Sequence, residues 1–297
     1  MINLARTIFR QFLEVVVLFF VGSICHDSVL GQFDVSATDL PQRDFAIFDA
    51  TTYKNKPDLS KYGIRKIQAM SRFWGNSDDR EETPNRDRVR HLTRHIKDPH
   101  GFAFIDIEQW PLNGSIHEVV MNIEKYRRVI EWIKKDVPDL KIGLYGMLPI
   151  RDYWRAIRKP DSEEYRDWQS QNDLLRSLAF SSIDMILPSL YTFYPDRVGW
   201  VRFAIANLSE ARRYGSGKPV YAFLWPQYHV SNKNIGLEYL PQDYWRLQLE
   251  TAYKYADGIV IWGGWDFKYN AQANWNENAP WWKATKEFCM DHGIFIE

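Results

Sequence analysis

The chain of 297 residues contains only two cysteines, Cys25 and Cys289. Cys25 falls in an apolar segment near the N terminus, so the rest of the chain has a single cysteine and cannot form an internal disulfide. A small secreted module held together by disulfides is therefore excluded, and stability must come from a hydrophobic core. The length allows one β/α barrel, which typically takes about 250 residues.

The formal net charge is zero, because Lys plus Arg and Asp plus Glu each number 38. A protein that neutralises a phosphate backbone needs a clear basic excess, so we expect no nucleic-acid partner. No Gly-rich phosphate loop follows the first predicted strand, and no Gly-x-Ser-x-Gly elbow occurs. We therefore expect no cofactor, and the sequence leaves the oligomeric state open.

Long apolar runs are scarce, and the clearest one, Val15–Ile24, is shorter than the roughly 20 residues of a membrane-spanning helix. Basic residues precede it, and small residues suited to signal-peptidase cleavage stand just before Gln32. We expect residues 1–31 to be a signal peptide and residues 32–297 to form one exported domain, secreted or periplasmic, without stable membrane insertion after cleavage. An uncleaved signal that anchors the protein to the membrane is the alternative.

Aromatic residues are abundant instead, at 15% of the chain with 13 Trp and 16 Tyr. Such side chains combine an apolar face with a polar edge, so they serve either a Trp-rich core or a groove in which sugar rings stack. Composition leaves both interpretations open.

Short apolar runs alternate with amphipathic segments such as Ile116–Lys135, in which apolar residues recur at helical spacing. This alternation predicts parallel strands joined by helices, and hence a TIM-like β/α barrel of seven strands, with an open doubly wound sheet as the alternative. The polar stretch Asn76–Asp98 predicts a solvated helix or a long loop. The predicted strands are Phe45–Phe48, Ile64–Met70, Phe102–Ile107, Ile142–Met147, Met185–Leu190, Val220–Leu224 and Gly258–Trp262.

The third predicted strand ends in two carboxylates, Asp106 and Glu108, which are separated by one residue. Side chains at i and i+2 of a strand project to the same face, and the carboxyl end of barrel strands carries the active site. Two close acids raise each other's pKa, so one can stay protonated near neutral pH and act as a general acid. The competing interpretation is a pair of solvated loop acids. The position of the pair at the end of a strand favours a catalytic role.

Aromatic residues also stand where other predicted strands end. Each alone is typical of a core, but together they predict an aromatic mouth around the acid pair, which suits a sugar polymer. The residues are Tyr145, Tyr191, Tyr228, Trp262 and Trp265.

Histidines raise the alternative of metal-dependent hydrolysis. His91 and His95 have the i, i+4 spacing of a helical metal pair, but they lie among basic residues without the glutamate of a zinc-protease motif, which favours a solvated helix. His100 and His117 flank the acid strand and could reach the rim of a pocket. We expect no metal site.

The segment Ile105-Asp-Ile-Glu-Gln-Trp110 resembles the hyaluronidase pattern of an apolar residue, Asp, an aromatic, Glu, an acid or amide, and Trp. Four further motifs of that family follow in the same order between Phe45 and Phe267. They are Ile142-Gly-Leu-Tyr-Gly-Met-Leu-Pro149, Gln171-Asn-Asp173, Leu187-Pro-Ser-Leu-Tyr191, and Gly258-Ile-Val-Ile-Trp262 with Trp265.

The resemblance implies a seven-stranded barrel and an endo-β-N-acetylhexosaminidase that retains configuration by substrate assistance, in which the N-acetyl oxygen of the sugar attacks its own anomeric carbon. Glu108 matches the proton donor and Asp106 the acid that orients the acetamido group. Tyr191 matches a tyrosine that contacts this group, and Trp262 an aromatic wall of its pocket. We expect Tyr145, Tyr228, Trp265 and Trp110 to contribute to substrate binding as well.

The chain departs from the family in three respects. Pro111 follows Trp110 where hyaluronidases have an arginine, and both the core disulfides and the cysteine-rich module are missing. The resemblance therefore does not identify the glycan, and hyaluronan-, chondroitin- and chitin-like polysaccharides all fit the acid pair. A carbohydrate-binding barrel without turnover is the alternative from another functional class.

Overall fold

The computed structural model describes residues 44–75 and 82–294. The predicted signal peptide, residues 1–31, and the proposed cleavage site before Gln32 lie outside the described residues. Within them, every helix is too short or too polar to cross a membrane.

Six parallel strands form the central sheet, in the order β4-β3-β2-β1-β6-β5. Six of the seven predicted strands are confirmed, with ends that shift by at most three residues. The short apolar runs form strands here because helices cover their outer faces and other strands' side chains cover their inner faces. The strands are β1 (Ala46–Thr51), β2 (Arg65–Met70), β3 (Phe102–Ile105), β4 (Lys141–Leu144), β5 (Tyr221–Leu224) and β6 (Gly258–Gly263).

The remaining predicted strand, Met185–Leu190, is not a regular strand, but its backbone connects β4 to β5. The Gly146 N–H donates to the Leu187 carbonyl (3.0 Å), and the Tyr221 N–H donates to the Ile186 carbonyl (2.9 Å). Isolated parallel bridges join the segment to its neighbours on both sides. The segment therefore occupies the position of a seventh strand and closes the sheet into a barrel, which overturns the open doubly wound alternative.

Helices lie between the strands along the chain. The predicted helix Ile116–Lys135 is confirmed as α2, where Ser115 and Glu118 form a reciprocal capping box. The predicted polar segment Asn76–Asp98 contains a helix, α1, over part of its length. The helices are α1 (Arg86–Thr93), α2 (Ile116–Asp136), α3 (Tyr153–Ala156), α4 (Glu163–Leu174), α5 (Arg176–Ser181), α6 (Arg197–Tyr214), α7 (Gln242–Tyr255) and α8 (Pro280–Asp291).

Alternate residues of the strands contribute to two separate apolar cores. In β1, Phe48 belongs to the core inside the barrel, whereas Ile47 belongs to the core between the sheet and the helices. Gly143 in β4 allows the inner core to close, because a Cβ at this position would lie 2.6 Å from Leu187 Cδ1. The inner core fills the barrel below its carboxyl end, and the acids and their cavities lie above it.

A short antiparallel ladder that the sequence did not predict follows β6. It consists of β7 (Trp265–Asp266) and β8 (Ala271–Gln272). Two glycines with positive φ, Gly263 and Gly264, make the turn between β6 and β7. Because a Cβ on Gly264 would lie 2.5 Å from the Tyr53 backbone nitrogen, this turn requires glycine.

Candidate functional site

The two acids lie at the carboxyl end of β3, on the side that faces into the barrel. Phe104 of β3 belongs to the inner core, and Asp106 and Glu108 follow it at intervals of two residues. Both carboxylates therefore stand above the inner core, as the i, i+2 argument predicted. Asp106 is partly buried, whereas Glu108 is exposed at the mouth of the barrel.

The backbone that carries the acids is held from both sides. The Asp106 N–H donates to the Met70 carbonyl at the end of β2 (2.9 Å). The Tyr126 hydroxyl, from α2, donates to the Ile107 carbonyl (2.6 Å) and also lies 3.2 Å from the Trp110 carbonyl. Since Tyr126 is almost fully buried, it fixes the loop between the two acids against the helix layer.

Three neighbouring cavities meet at Glu108. The largest, of about 390 Å³, contains both acids and an aromatic wall. A second, of about 250 Å³, contains both acids with Arg72 and Trp74, and a third, of about 280 Å³, contains Glu108 with Asn113. Glu108 is thus the common wall of an elongated cleft rather than the floor of a closed pocket.

The wall of the largest cavity contains four aromatic side chains that continue the inward alternation of their strands. Tyr191 and Trp262 lie at 5.9 Å between ring centroids, and Trp262 meets Trp225 edge to face at 4.8 Å. Tyr145 packs against Tyr191 at 5.9 Å. Three of the predicted residues, Tyr145, Tyr191 and Trp262, therefore lie in one cavity with both acids.

Burial governs the protonation of the site. Desolvation, and secondarily the charge of Glu108, raises the pKa of Asp106 to about 6. Desolvation raises the pKa of Tyr191 and Tyr145 above the ordinary value of a phenol, so both hydroxyls remain hydrogen-bond donors at neutral pH and above. Asp106 also raises the pKa of Tyr191, which places that hydroxyl within the electrostatic reach of the acid.

Three predicted binding residues do not line any of these cavities. Trp110 is buried in the outer core, where it meets Tyr126 edge to face at 5.1 Å. Tyr228 is buried in the same outer core. Trp265 lies in β7, paired with Gln272. Packing accounts for Trp110 and Tyr228, because their backbone positions direct the rings away from the barrel axis.

The histidines of the metal alternative also lie outside the cleft. His91 and His95 are exposed on and just after α1, and His100 is exposed beside Asp139 at 3.3 Å. His117 is exposed in the first turn of α2. Across residues 44–75 and 82–294, no group of three or more metal-binding side chains is found.

The cleft residues that sequence reasoning missed include Trp225, Arg72, Arg151 and His229. Trp225 stands two residues after the inner-core residue Phe223, so the alternation that identified the acids would have found it. Arg151 and His229 lie on loops, where no sequence periodicity predicts the direction of a side chain. Burial lowers the pKa of His229, so its ring is neutral at pH 7.

Comparison with known proteins is informative only at the level of structure. No protein-family model and no curated protein sequence matches the chain. The crystal structure of bee venom hyaluronidase is similar at 17% identity and a TM-score of 0.58, over 83% of this chain and 95% of that one. Bee venom hyaluronidase in complex with a hyaluronic acid tetramer is similar at 17% identity and a TM-score of 0.57, over 83% and 94%. The likeness confirms that the chain has a hyaluronidase-like β/α-barrel fold.

Proposed function

We propose that the protein is a glycoside hydrolase that cleaves a polysaccharide containing N-acetylhexosamine, with Glu108 as proton donor. The observation that carries this proposal is the acid pair, in which exposed Glu108 and partly buried Asp106 share one strand end, one cavity and an electrostatic interaction. The fold shared with bee venom hyaluronidase supports it. The predicted export fits a polymer substrate and remains part of the proposal.

The arrangement of the acids favours substrate assistance. Two carboxylates that flank a glycosidic bond as acid and nucleophile, or as acid and base, must approach it from different sides. Asp106 and Glu108 follow one another on the same face of one strand, so they approach from the same side. The second group required by a retaining mechanism is then supplied by the sugar's own acetamido oxygen.

Three side chains take part in the proposed reaction. Glu108 gives its proton to the glycosidic oxygen while the acetamido oxygen bonds to the anomeric carbon and the leaving sugar departs. Asp106, as carboxylate, stabilises the positive charge on the acetamido group, and the protonated Tyr191 hydroxyl donates to that group. Glu108 then takes a proton from water, which attacks the anomeric carbon and reopens the oxazoline ring.

Charge in the cleft favours an anionic glycan of the hyaluronan or chondroitin type over chitin. Arg72 and Arg151 line different cavities, each of which contains Glu108, and both arginines are exposed. Neither guanidinium has an ion pair with a residue in the described part of the chain. Arginine is the side chain best suited to bind a carboxylate or a sulfate, because its planar donors match both. The hyaluronic acid tetramer bound by bee venom hyaluronidase is a glycan of this kind.

The test is reducing-end release from hyaluronan, chondroitin and chitin oligosaccharides across a pH series, with wild-type protein and Glu108→Gln. We expect the substitution to lower kcat by about 10²–10⁴-fold, the usual contribution of general acid catalysis. Glu131→Gln, which alters an exposed acid on α2, is the matched control and should behave as wild type. Binding of an oligosaccharide without turnover by the wild type would replace the proposal with the carbohydrate-binding alternative.

A further inference from the structure

Two large aromatic rings are exposed beside the cleft. Trp154 in α3 has 58% of its surface exposed, and Tyr194, which precedes α6, has 42%. Their ring centroids lie 5.9 Å apart at an angle of 46°. We call this pair the aromatic platform. A tryptophan exposed to this degree keeps apolar surface in contact with water, and a ligand that covers this surface gains free energy from its burial.

The aromatic platform is fixed from below. Tyr153 meets Trp154 edge to face at 5.1 Å and Tyr194 at 5.7 Å, and it packs on buried Phe203 of α6 at 5.2 Å. Asp152 caps α3 through the Arg155 N–H (2.9 Å). The two rings are therefore held in place before any ligand binds, which lowers the entropic cost of stacking a ligand on them.

A continuous path of side chains leads from the platform to the largest cavity. Tyr194 follows Phe193, whose ring packs on His229 at a centroid distance of 4.6 Å, and His229 lines the cavity. On the other ring's side, Arg151 lines the same cavity and precedes Trp154 by three residues. Because the Phe193 ring also contacts Tyr194 at 6.5 Å, the rings of Phe193 and His229 connect the platform to the cavity that contains Glu108.

We propose that the aromatic platform is a distal sugar-binding subsite, which stacks a sugar ring of the same polysaccharide chain whose bond lies at Glu108. The inference rests on the proposed function, because it takes its occupant from the substrate of that cleft. Pyranose rings present C–H faces to flat aromatic side chains, and an extended polymer that leaves the cavity past His229 meets the platform next. The subsite makes the protein prefer long chains to short ones.

A second copy of the chain is a less suitable occupant. A stable interface buries about 800 Å² on each partner, whereas two partly exposed aromatic rings provide at most ~300 Å². The residues around the platform, Pro195, Asp196 and Arg197, are exposed and include charges of both signs. This surrounding surface suits a narrow strip of contact with a sugar chain better than a broad apolar interface.

The test is a length series of hyaluronan, chondroitin and chitin oligosaccharides, comparing wild type with Trp154→Ala. We expect kcat/KM for the longest chains to fall about tenfold, chiefly through KM, while the shortest cleaved oligosaccharide is processed at the wild-type rate. Trp154→Phe, which keeps a flat ring, should recover most of the loss. Met290→Ala, another exposed side chain with 59% exposure, in the last turn of α8, is the control and should show no length dependence.

The same series measured as binding by calorimetry, in a Glu108→Gln background, separates this proposal from the proposed function. Length-dependent binding that Trp154→Ala removes supports the subsite even if no glycosidase activity is found. An equal effect on long and short chains, or no effect on either, overturns the subsite. A concentration-dependent dimer of the wild type that Trp154→Ala dissociates in sedimentation experiments would also overturn it, because the platform would then be covered by a second copy.

Discussion

The cleft and the helix layer of this barrel contain the same kinds of side chain, but other residues cover them in the helix layer, whereas they face open space in the cleft. In the helix layer, Trp245 of α7 is fully buried and donates to the Thr285 hydroxyl (2.9 Å), whereas Trp262 in the cleft is half-buried and faces open space. Among the aromatic residues of the strands, those directed into the barrel above the filled interior therefore indicate the binding site.

Charged groups differ between the two regions in the same way. In the helix layer, Arg86 pairs with Asp136 through two hydrogen bonds (2.9 and 2.6 Å), and Arg213 pairs with buried Glu210 (2.7 Å). In the cleft, Arg151 makes no ion pair with any residue that the structure describes. Groups in the helix layer are partnered within the chain, and groups in the cleft remain open to a ligand.

The largest expected difference between the two regions is in the free energy of unfolding. Trp245→Ala should lower the free energy of unfolding by about 3–5 kcal/mol, because it removes a fully buried indole. Trp262→Ala should cost about 1 kcal/mol, because much of that ring already faces the cavity, yet it should reduce oligosaccharide binding strongly. Urea unfolding of both variants, with calorimetric binding, checks the pair. Equal losses of stability would remove the distinction between the two regions.

A smaller effect is expected from the different burial of Asp106 and Glu108. The pKa of Asp106 in the folded protein, about 6, lies above that of an unfolded aspartate. Ionisation of Asp106 therefore lowers the free energy of unfolding as pH rises from about 4 to about 6. Asp106→Asn should therefore raise the free energy of unfolding at pH 7 by up to about 3 kcal/mol and change it little at pH 4.

Glu108→Gln is the matched variant for that experiment. Desolvation is the main cause of the shift at Asp106 and the charge of Glu108 the lesser one. The gain from Glu108→Gln at pH 7 should therefore be smaller than the gain from Asp106→Asn. Denaturant titrations at pH 4, 5, 6 and 7 measure both, and a larger gain from Glu108→Gln would show that charge repulsion, rather than burial, dominates.

The smallest expected effect concerns Arg151, one of the two cleft arginines that have no ion pair in the described part of the chain. Arg151→Gln should reduce kcat/KM about tenfold for hyaluronan or chondroitin and leave chitin oligosaccharides nearly unaffected, because a single charge-assisted contact is lost. Arg158→Gln, an exposed arginine just after α3, is the control. The same loss on charged and neutral substrates would mean that Arg151 positions Glu108 instead of binding the glycan's charge.

Much of the fold and part of the site followed from local patterns. Apolar runs in alternation with helical periodicity predicted the strands, and the i, i+2 spacing predicted that Asp106 and Glu108 share a face. The same rule, extended along β5, would have found Trp225. Trp110 was assigned to the site as part of the motif Ile105–Trp110, and Tyr228 because it lies beyond a predicted strand end. Their burial in the outer core does not follow from either local pattern.

The sequence by itself determined the parallel β/α architecture and the direction of the two acids, because the two-residue period of a strand is a local property of the backbone. Only the tertiary structure decided that the predicted strand Met185–Leu190 closes the barrel through isolated bridges and that Arg72, Arg151 and His229 converge on the acids. It also decided which aromatic rings remain uncovered. These features depend on loops and on contacts between distant segments, where direction is set by packing and not by any local period.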